Sequence, residues 1–122
     1  MTVERRVKLL SRELPLASKS VMMARTWRGR TPTEKATAYH EYLEESGIAE
    51  YRRTKGNRGV YVLQRRQGEV TEFFLLSLWD SMDSLREFAG EDVSKARYFP
   101  KDREFLLEFE STVDHYEVLS AP

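Results

Sequence analysis

The most apolar stretch of the chain, Glu72-Phe-Phe-Leu-Leu-Ser-Leu-Trp79, is of β length and almost unbroken. A strand with both faces apolar sits inside a sheet, not at its edge. The pattern changes period immediately afterwards. Met82, Leu85, Phe88 and Ala89 recur at three- and four-residue spacing, which predicts one apolar helical stripe. Asp80 or Ser81 can cap that helix, Asp83 suits its first turn, and Gly90 breaks it. A buried strand feeding an amphipathic helix predicts a helix-on-sheet layer that the rest of the chain must pair with or pack against.

The remaining pattern supplies the partners. Residues 21–28 alternate and predict a first strand, with Met22, Ala24, Thr26 and Arg28 on one face and Val21, Met23, Arg25 and Trp27 on the other. Thr31-Pro-Thr-Glu34 has the form of a capping box with proline at the first helical position, so a helix is expected from Pro32 to about Glu45, ended by Gly47 with Ile48 as its apolar contact. An irregular piece through Tyr51 leads to the loop Lys55–Gly59. Val60, Val62 and Gln64 then alternate with Tyr61, Leu63 and Arg65, and a turn at Gln67-Gly68-Glu69 makes a hairpin with the 70–79 strand. A short helix is expected near 93–98, a helical or irregular piece over 102–109, and a last strand over 112–119.

Strand, helix, strand, strand, helix, strand is the α+β, ferredoxin-like βαββαβ pattern, and right-handed crossovers give an antiparallel sheet of order 4-1-3-2. The apolar 72–79 strand falls inside that order. Two helices cover one face only. The other is expected to carry Met23 and Trp27, Tyr61 and Leu63, and one side of 72–79, a large apolar patch that a second copy would cover through a twofold axis. A homodimer with a space between its sheets follows. The domain occupies residues 20–122. Residues 1–19 form an N-terminal extension whose Val3, Val7, Leu10 and Leu14 sit at helical spacing among basic residues, ahead of Pro15. Such a helix can lie on a membrane or a partner; the plainer expectation is a loosely docked terminal segment.

Composition narrows the function. The 122 residues include 20 Lys plus Arg and 20 Asp plus Glu, so no net field draws the chain to nucleic acid or an anionic membrane. The absence of cysteine excludes disulfides, thiolate metal sites and a cysteine nucleophile. No segment has the length or hydropathy of a membrane span or a signal peptide, which makes a cytoplasmic location the expectation. No phosphate loop, dinucleotide fingerprint or zinc spacing is present, and neither a metal nor a cofactor is expected. The candidate chemistry is a mixed aromatic and polar set. Trp27, Tyr61, Trp79 and Tyr98 could wall a pocket for a flat ligand, with Arg25 or His115 acting on its oxygen atoms; beside Arg25 the last strand is expected to bring either His115 and Glu117 or Tyr116. Alternatively Arg25 and Glu117 satisfy one another across neighbouring strands, because buried charges are normally paired.

Particular segments carry a family resemblance. Ala24-Arg-Thr-Trp-Arg-Gly29, Gly56-Asn-Arg-Gly-Val-Tyr61, Ser77-Leu-Trp-Asp-Ser81 into Leu85, Phe88-Ala-Gly-Glu-Asp92, Ala96-Arg-Tyr98 and His115-Tyr-Glu-Val118 resemble the antibiotic biosynthesis monooxygenase family, over about residues 21–119. The resemblance implies a ferredoxin-like protomer, pairing as a dimeric α+β barrel, and in some members cofactor-independent oxygenation of aromatic polyketides or quinols. Relatives that degrade haem use an asparagine, a tryptophan and a histidine where this chain has Thr26, Phe88 and Tyr98, so the resemblance implies no haem site here. The expected function is a homodimeric, cofactor-independent monooxygenase of a small aromatic compound. Arg25 and His115 would position or deprotonate a phenolic oxygen while Trp27 and Tyr61 stack on the ring. The alternatives are a ligand-binding or stress-associated dimer without turnover, and a fully packed core with no room for a ring.

Overall fold

In the computed structural model, which describes residues 21–122, the sheet has the order expected. Strands β1 (Met23–Pro32), β2 (Asn57–Gln67), β3 (Val70–Trp79) and β4 (Asp114–Glu117) are antiparallel and run β2-β3-β1-β4 across it. β3 pairs along its whole length with β1, from Met23 opposite Trp79 to Pro32 opposite Val70, and on its other side with β2. Helices α1 (Ala36–Glu45), α2 (Gly47–Arg53) and α3 (Met82–Ala89) supply the packing layer. This is an α+β, ferredoxin-like fold. The N-terminal extension expected over 1–19 lies outside the described residues.

The 72–79 strand and its helix form as the pattern demands. Ser81 caps α3 by accepting from the Ser84 amide, and Gly90 ends it with φ 90°. Four local expectations give way to tertiary contacts. Thr31 does not cap a helix, because β1 continues through it. The hairpin turn recruits this end of the strand: the Thr33 amide donates to the Glu69 carbonyl and the Thr33 hydroxyl reaches both the Gly68 carbonyl and Thr71. A 3-10 turn, Thr33–Lys35, then leads into α1. Gly47 does not end helical structure but opens α2, where Phe99 packs against its missing side chain. Ile48 and Tyr51 are buried on that helix.

The other two concern the C-terminal third. Residues 93–98 are not helical: Val93 and Ser94 form a turn closed by the Lys95 amide on the Asp92 carbonyl, Lys95 is bridged to Thr112, and Ala96 donates to the Ser111 carbonyl. The fourth is β4, which is shorter than the 112–119 expected, whereas 102–109 is irregular apart from the 3-10 turn Asp102–Glu104, within its expectation.

The faces of the sheet are assigned differently from the expectation. Met23, Arg25 and Trp27 of β1 lie in register with Trp79, Ser77 and Leu75 of β3, and this is the face the helices cover. Their side chains join Tyr39, Leu43, Ile48, Tyr51, Leu85 and Phe88 in or beside one core. Both faces of β1 carry groups a core accepts, so alternation alone could not choose between them. The opposite face holds Tyr61, Leu63 and Tyr116, at 55, 49 and 57% exposure, together with the half-buried Phe74, Leu76 and Leu78. Among the described residues no helix is long and apolar enough to cross a membrane.

Candidate functional site

Arg25 is the least ordinary residue of the core. It sits mid-strand on the helix-covered face and is only 2% exposed. Among the described residues no carboxylate meets it. Its Nη1 donates to the Val93 carbonyl at 2.7 Å and its Nη2 to the Lys95 carbonyl at 3.0 Å. These two bonds hold the carbonyls of a turn that would be directed along the axis if 93–95 were helical. Its Nε is buried with no hydrogen-bond partner among the described residues. Burial lowers the Arg25 pKa from its usual value, although an arginine stays charged at any ordinary pH. A cation taken out of water without an anion is costly, and proteins normally pair such charges.

His115 of β4 lies opposite Arg25 in register, with Nε2 3.1 Å from Nη1. A guanidinium can only donate, so His115 presents a lone pair at Nε2 and carries its proton on Nδ1. Burial, followed by the Arg25 charge, lowers the His115 pKa and holds the ring neutral. The structure therefore brings the expected pair Arg25 and His115 together, but with the imidazole nitrogen already committed to the arginine.

A narrow cleft opens between the sheet and the helices beside Arg25. Trp27, Tyr51, Phe88, Phe99 and Asp102 are among its walls, and its volume is about 20 Å³. That is room for one water molecule, not for an aromatic ring. Phe99 also lines a broader outer groove of about 640 Å³ with Tyr98, Pro100, Arg103 and Phe109. One side chain thus separates the inner cleft from a space of ligand size. Arg97 stacks over both Phe88 and Phe99, at 5.0 and 4.9 Å from the ring centres, and lines the cleft as well.

The other expected residues divide. Trp27 walls the cleft, and its Nε1 donates to the Tyr98 hydroxyl at 3.4 Å in an edge-on ring contact. Tyr98 itself faces the outer groove and donates to the Glu110 carbonyl. Trp79 is fully buried, with Nε1 donating to the Ser77 hydroxyl, and packs behind Tyr51 and Phe88 without lining the cleft. Tyr61 is on the opposite face and cannot stack with Trp27 on one ring. Glu117 is exposed, in register with Met23, and the expected Arg25–Glu117 pair does not form. Among the described residues no three His, Cys, Asp or Glu side chains are grouped to hold a metal ion.

Sequence reasoning missed three cleft residues. Tyr51 is buried beside Arg25, and burial pushes its phenol pKa up while the arginine charge opposes the shift. Asp102, 3% exposed, accepts from the Tyr39 hydroxyl at Oδ1 (3.1 Å) and from the Phe99 amide at Oδ2 (2.6 Å). Burial raises the Asp102 pKa, against those two bonds, and raises that of Tyr39 as well. The helical spacing of Tyr39 with Leu43 was legible as a core stripe; nothing local marks Asp102 as buried.

No protein-family model matches the sequence, and no curated protein matches it. Solved structures do. A proposed antibiotic biosynthesis monooxygenase from Bacillus cereus superposes with a TM-score of 0.56 at 17% identity, covering 84% of this chain and 97% of that one. A second protein so described, from Nitrosomonas europaea, gives 0.58 at 16%, covering 83% and 92%. A conserved protein from Methanosarcina mazei Go1 gives 0.59 at 21%, covering 84% and 97%. At these identities the likeness is one of fold, over nearly the whole of each neighbour.

Proposed function

We propose that the chain is a member of the antibiotic biosynthesis monooxygenase family that binds a small electron-rich phenol or quinol beside Arg25 and oxygenates it without a cofactor. The observation that carries this reading is the buried Arg25 guanidinium, which among the described residues has no partner at Nε and no carboxylate, in an aromatic-walled cleft. A ligand oxyanion supplies the missing negative charge, and charge-assisted hydrogen bonds to it are strong in such surroundings. Trp27 and Phe88 offer faces and edges to a ring, and rotation of Phe99 joins the cleft to the outer groove so that a ring can enter. The bound phenolate delocalises charge onto its ring carbons. One electron passes to O2, the resulting radical and superoxide combine at a ring carbon that bears hydrogen, and the peroxide takes up the proton the phenol released, giving a hydroperoxide. Loss of water from that C(H)–OOH carbon leaves a carbonyl, so that substrate plus O2 becomes oxidised product plus H2O. The role of Arg25 is to favour the anion that reduces oxygen. His115 acts through Arg25 as a positioning residue.

The exposed face of the sheet supports pairing of two copies. Tyr61, Leu63 and Tyr116 with Phe74, Leu76 and Leu78 make a continuous apolar surface of the kind that a twofold partner buries. The present narrowness of the cleft favours a second reading, a fully packed core that takes no aromatic ligand.

Oxygen uptake with a panel of hydroquinones and anthrones, under air and under nitrogen, separates them. The oxygenase reading predicts consumption of O2 with stoichiometric product, reduced about 10²-fold in kcat by Arg25→Gln. Neither uptake nor binding selects the packed core, and binding without uptake selects a ligand-binding dimer without turnover. Uptake unaffected by Arg25→Gln removes Arg25 from the reaction.

A further inference from the structure

Forming a phenolate requires a group to take the proton, and His115 is not available, because its free lone pair is turned to Arg25. We infer that Asp102 is the base of this site: the phenolic O–H of a bound ligand breaks heterolytically, its electron pair stays on the oxygen facing Arg25, and its proton passes to the Asp102 carboxylate. The inference rests on the ligand-binding reading above and adds to it the residue that ionises the ligand.

The geometry supports it in three ways. Asp102 is the only carboxyl group among the described residues lining the cleft, and it stands there with the Arg25 cation. Its two oxygens each accept one hydrogen bond, from Tyr39 and from the Phe99 amide, which fixes the carboxylate and leaves each oxygen a further lone pair. It also belongs to the same turn as Phe99, whose carbonyl accepts from the Asp102 amide at 2.9 Å, so a ring that displaces the Phe99 side chain arrives beside the acceptor. The ionisable groups around it are Tyr39 from α1, Tyr51 from α2, Arg25 from β1, and Arg97 and Tyr98 from the segment before it. Burial brings the carboxyl closer to the phenol in proton affinity, the match a general base requires.

The test uses 4-nitrophenol, whose phenolate absorbs visible light and whose phenol does not. At mildly acid pH, below the probe's own ionisation midpoint, wild-type protein is expected to raise the phenolate band on binding, because Asp102 receives the proton. Asp102→Asn keeps the hydrogen-bonding shape but not the proton affinity. It should lose the band at acid pH, retain it at alkaline pH where the probe is already ionised, and lower oxygenation about 10²-fold in kcat. A variant band equal to wild type at acid pH overturns the assignment. If Asp102→Asn shows no band at any pH, Tyr39→Phe decides. Removing that donor raises the Asp102 pKa, so the acid limb of the band should move to higher pH, and an unmoved limb overturns the assignment. No band at any pH in the wild type, by contrast, defeats the oxyanion-binding reading itself.

Discussion

Gly29 faces the same side of β1 as Trp27, and the indole lies over it. A Cβ at position 29 would stand 2.2 Å from Trp27 Cη2, 2.7 Å from Cζ2 and 2.9 Å from Cζ3. Carbon atoms in contact prefer about 3.5–4.0 Å, so Gly29→Ala must push the ring away by more than 1 Å. The backbone is not the obstacle, because Gly29 has no positive φ. Overpacking of this kind costs about 1–3 kcal/mol. Displacing the indole also weakens its edge-on contact with Tyr98, a pairing worth about 0.5–1.5 kcal/mol. Replacing a strand glycine by alanine returns about 0.5–1 kcal/mol of chain entropy. The net expectation is a loss of about 1–3 kcal/mol. Urea unfolding followed by tryptophan emission measures it, with only Trp27 and Trp79 contributing. Trp79 is deeply buried and far less affected, so a red shift reports Trp27 moving toward water. An unchanged midpoint and unchanged emission would refute the placement of the indole over Gly29, and with it this wall of the cleft.

Two further outcomes are expected. His115 has a folded pKa below its ordinary 6.5, so as the pH falls past about 6.5 the unfolded chain takes up the proton first; stability contributed by the neutral ring is lost from there down to the folded value. Urea titrations across that range should show wild type losing stability relative to His115→Gln, and parallel curves would contradict the neutral, arginine-bound ring. Tyr61→Glu with Leu63→Glu places two charges on the exposed face without entering the core: sedimentation should change from twice 14.3 kDa to 14.3 kDa, with protomer stability within about 0.5 kcal/mol, whereas wild type sedimenting at 14.3 kDa would deny the pairing.

Much of the fold was legible because its signals are strong and local. The 72–79 run demanded an interior strand, Ser81 and Gly90 bounded a helix, and Gly68 marked the hairpin. The failures occur where distant groups outweigh local preference. The Thr31 capping pattern yields to sheet pairing set by the hairpin turn. Segment 93–98 follows helical spacing, but a buried arginine on β1 takes the Val93 and Lys95 carbonyls, and Lys95 and Ala96 are tied to residues 111–112 instead. The site was half legible for a similar reason. Arg25 and Trp27 share one face by alternation, which a sequence displays, whereas the choice of His115 over Tyr116 beside them is made by the register of β4. Which face the helices cover depends on packing between elements, and this separated Tyr61 from Trp27. The burial of Asp102 depends on Tyr39, 63 positions earlier, and leaves no trace in its own neighbourhood.

The central claim is that the buried Arg25 charge receives the oxyanion of an aromatic ligand. Its most direct test is the affinity of 4-nitrophenolate for wild-type and Arg25→Gln protein at alkaline pH, where the probe is ionised in solution and no proton acceptor is needed. A hydrogen bond to a charged group is worth about 1.5–3 kcal/mol, so Arg25→Gln should weaken binding by about 10- to 100-fold. Equal affinity in the two proteins would contradict the claim.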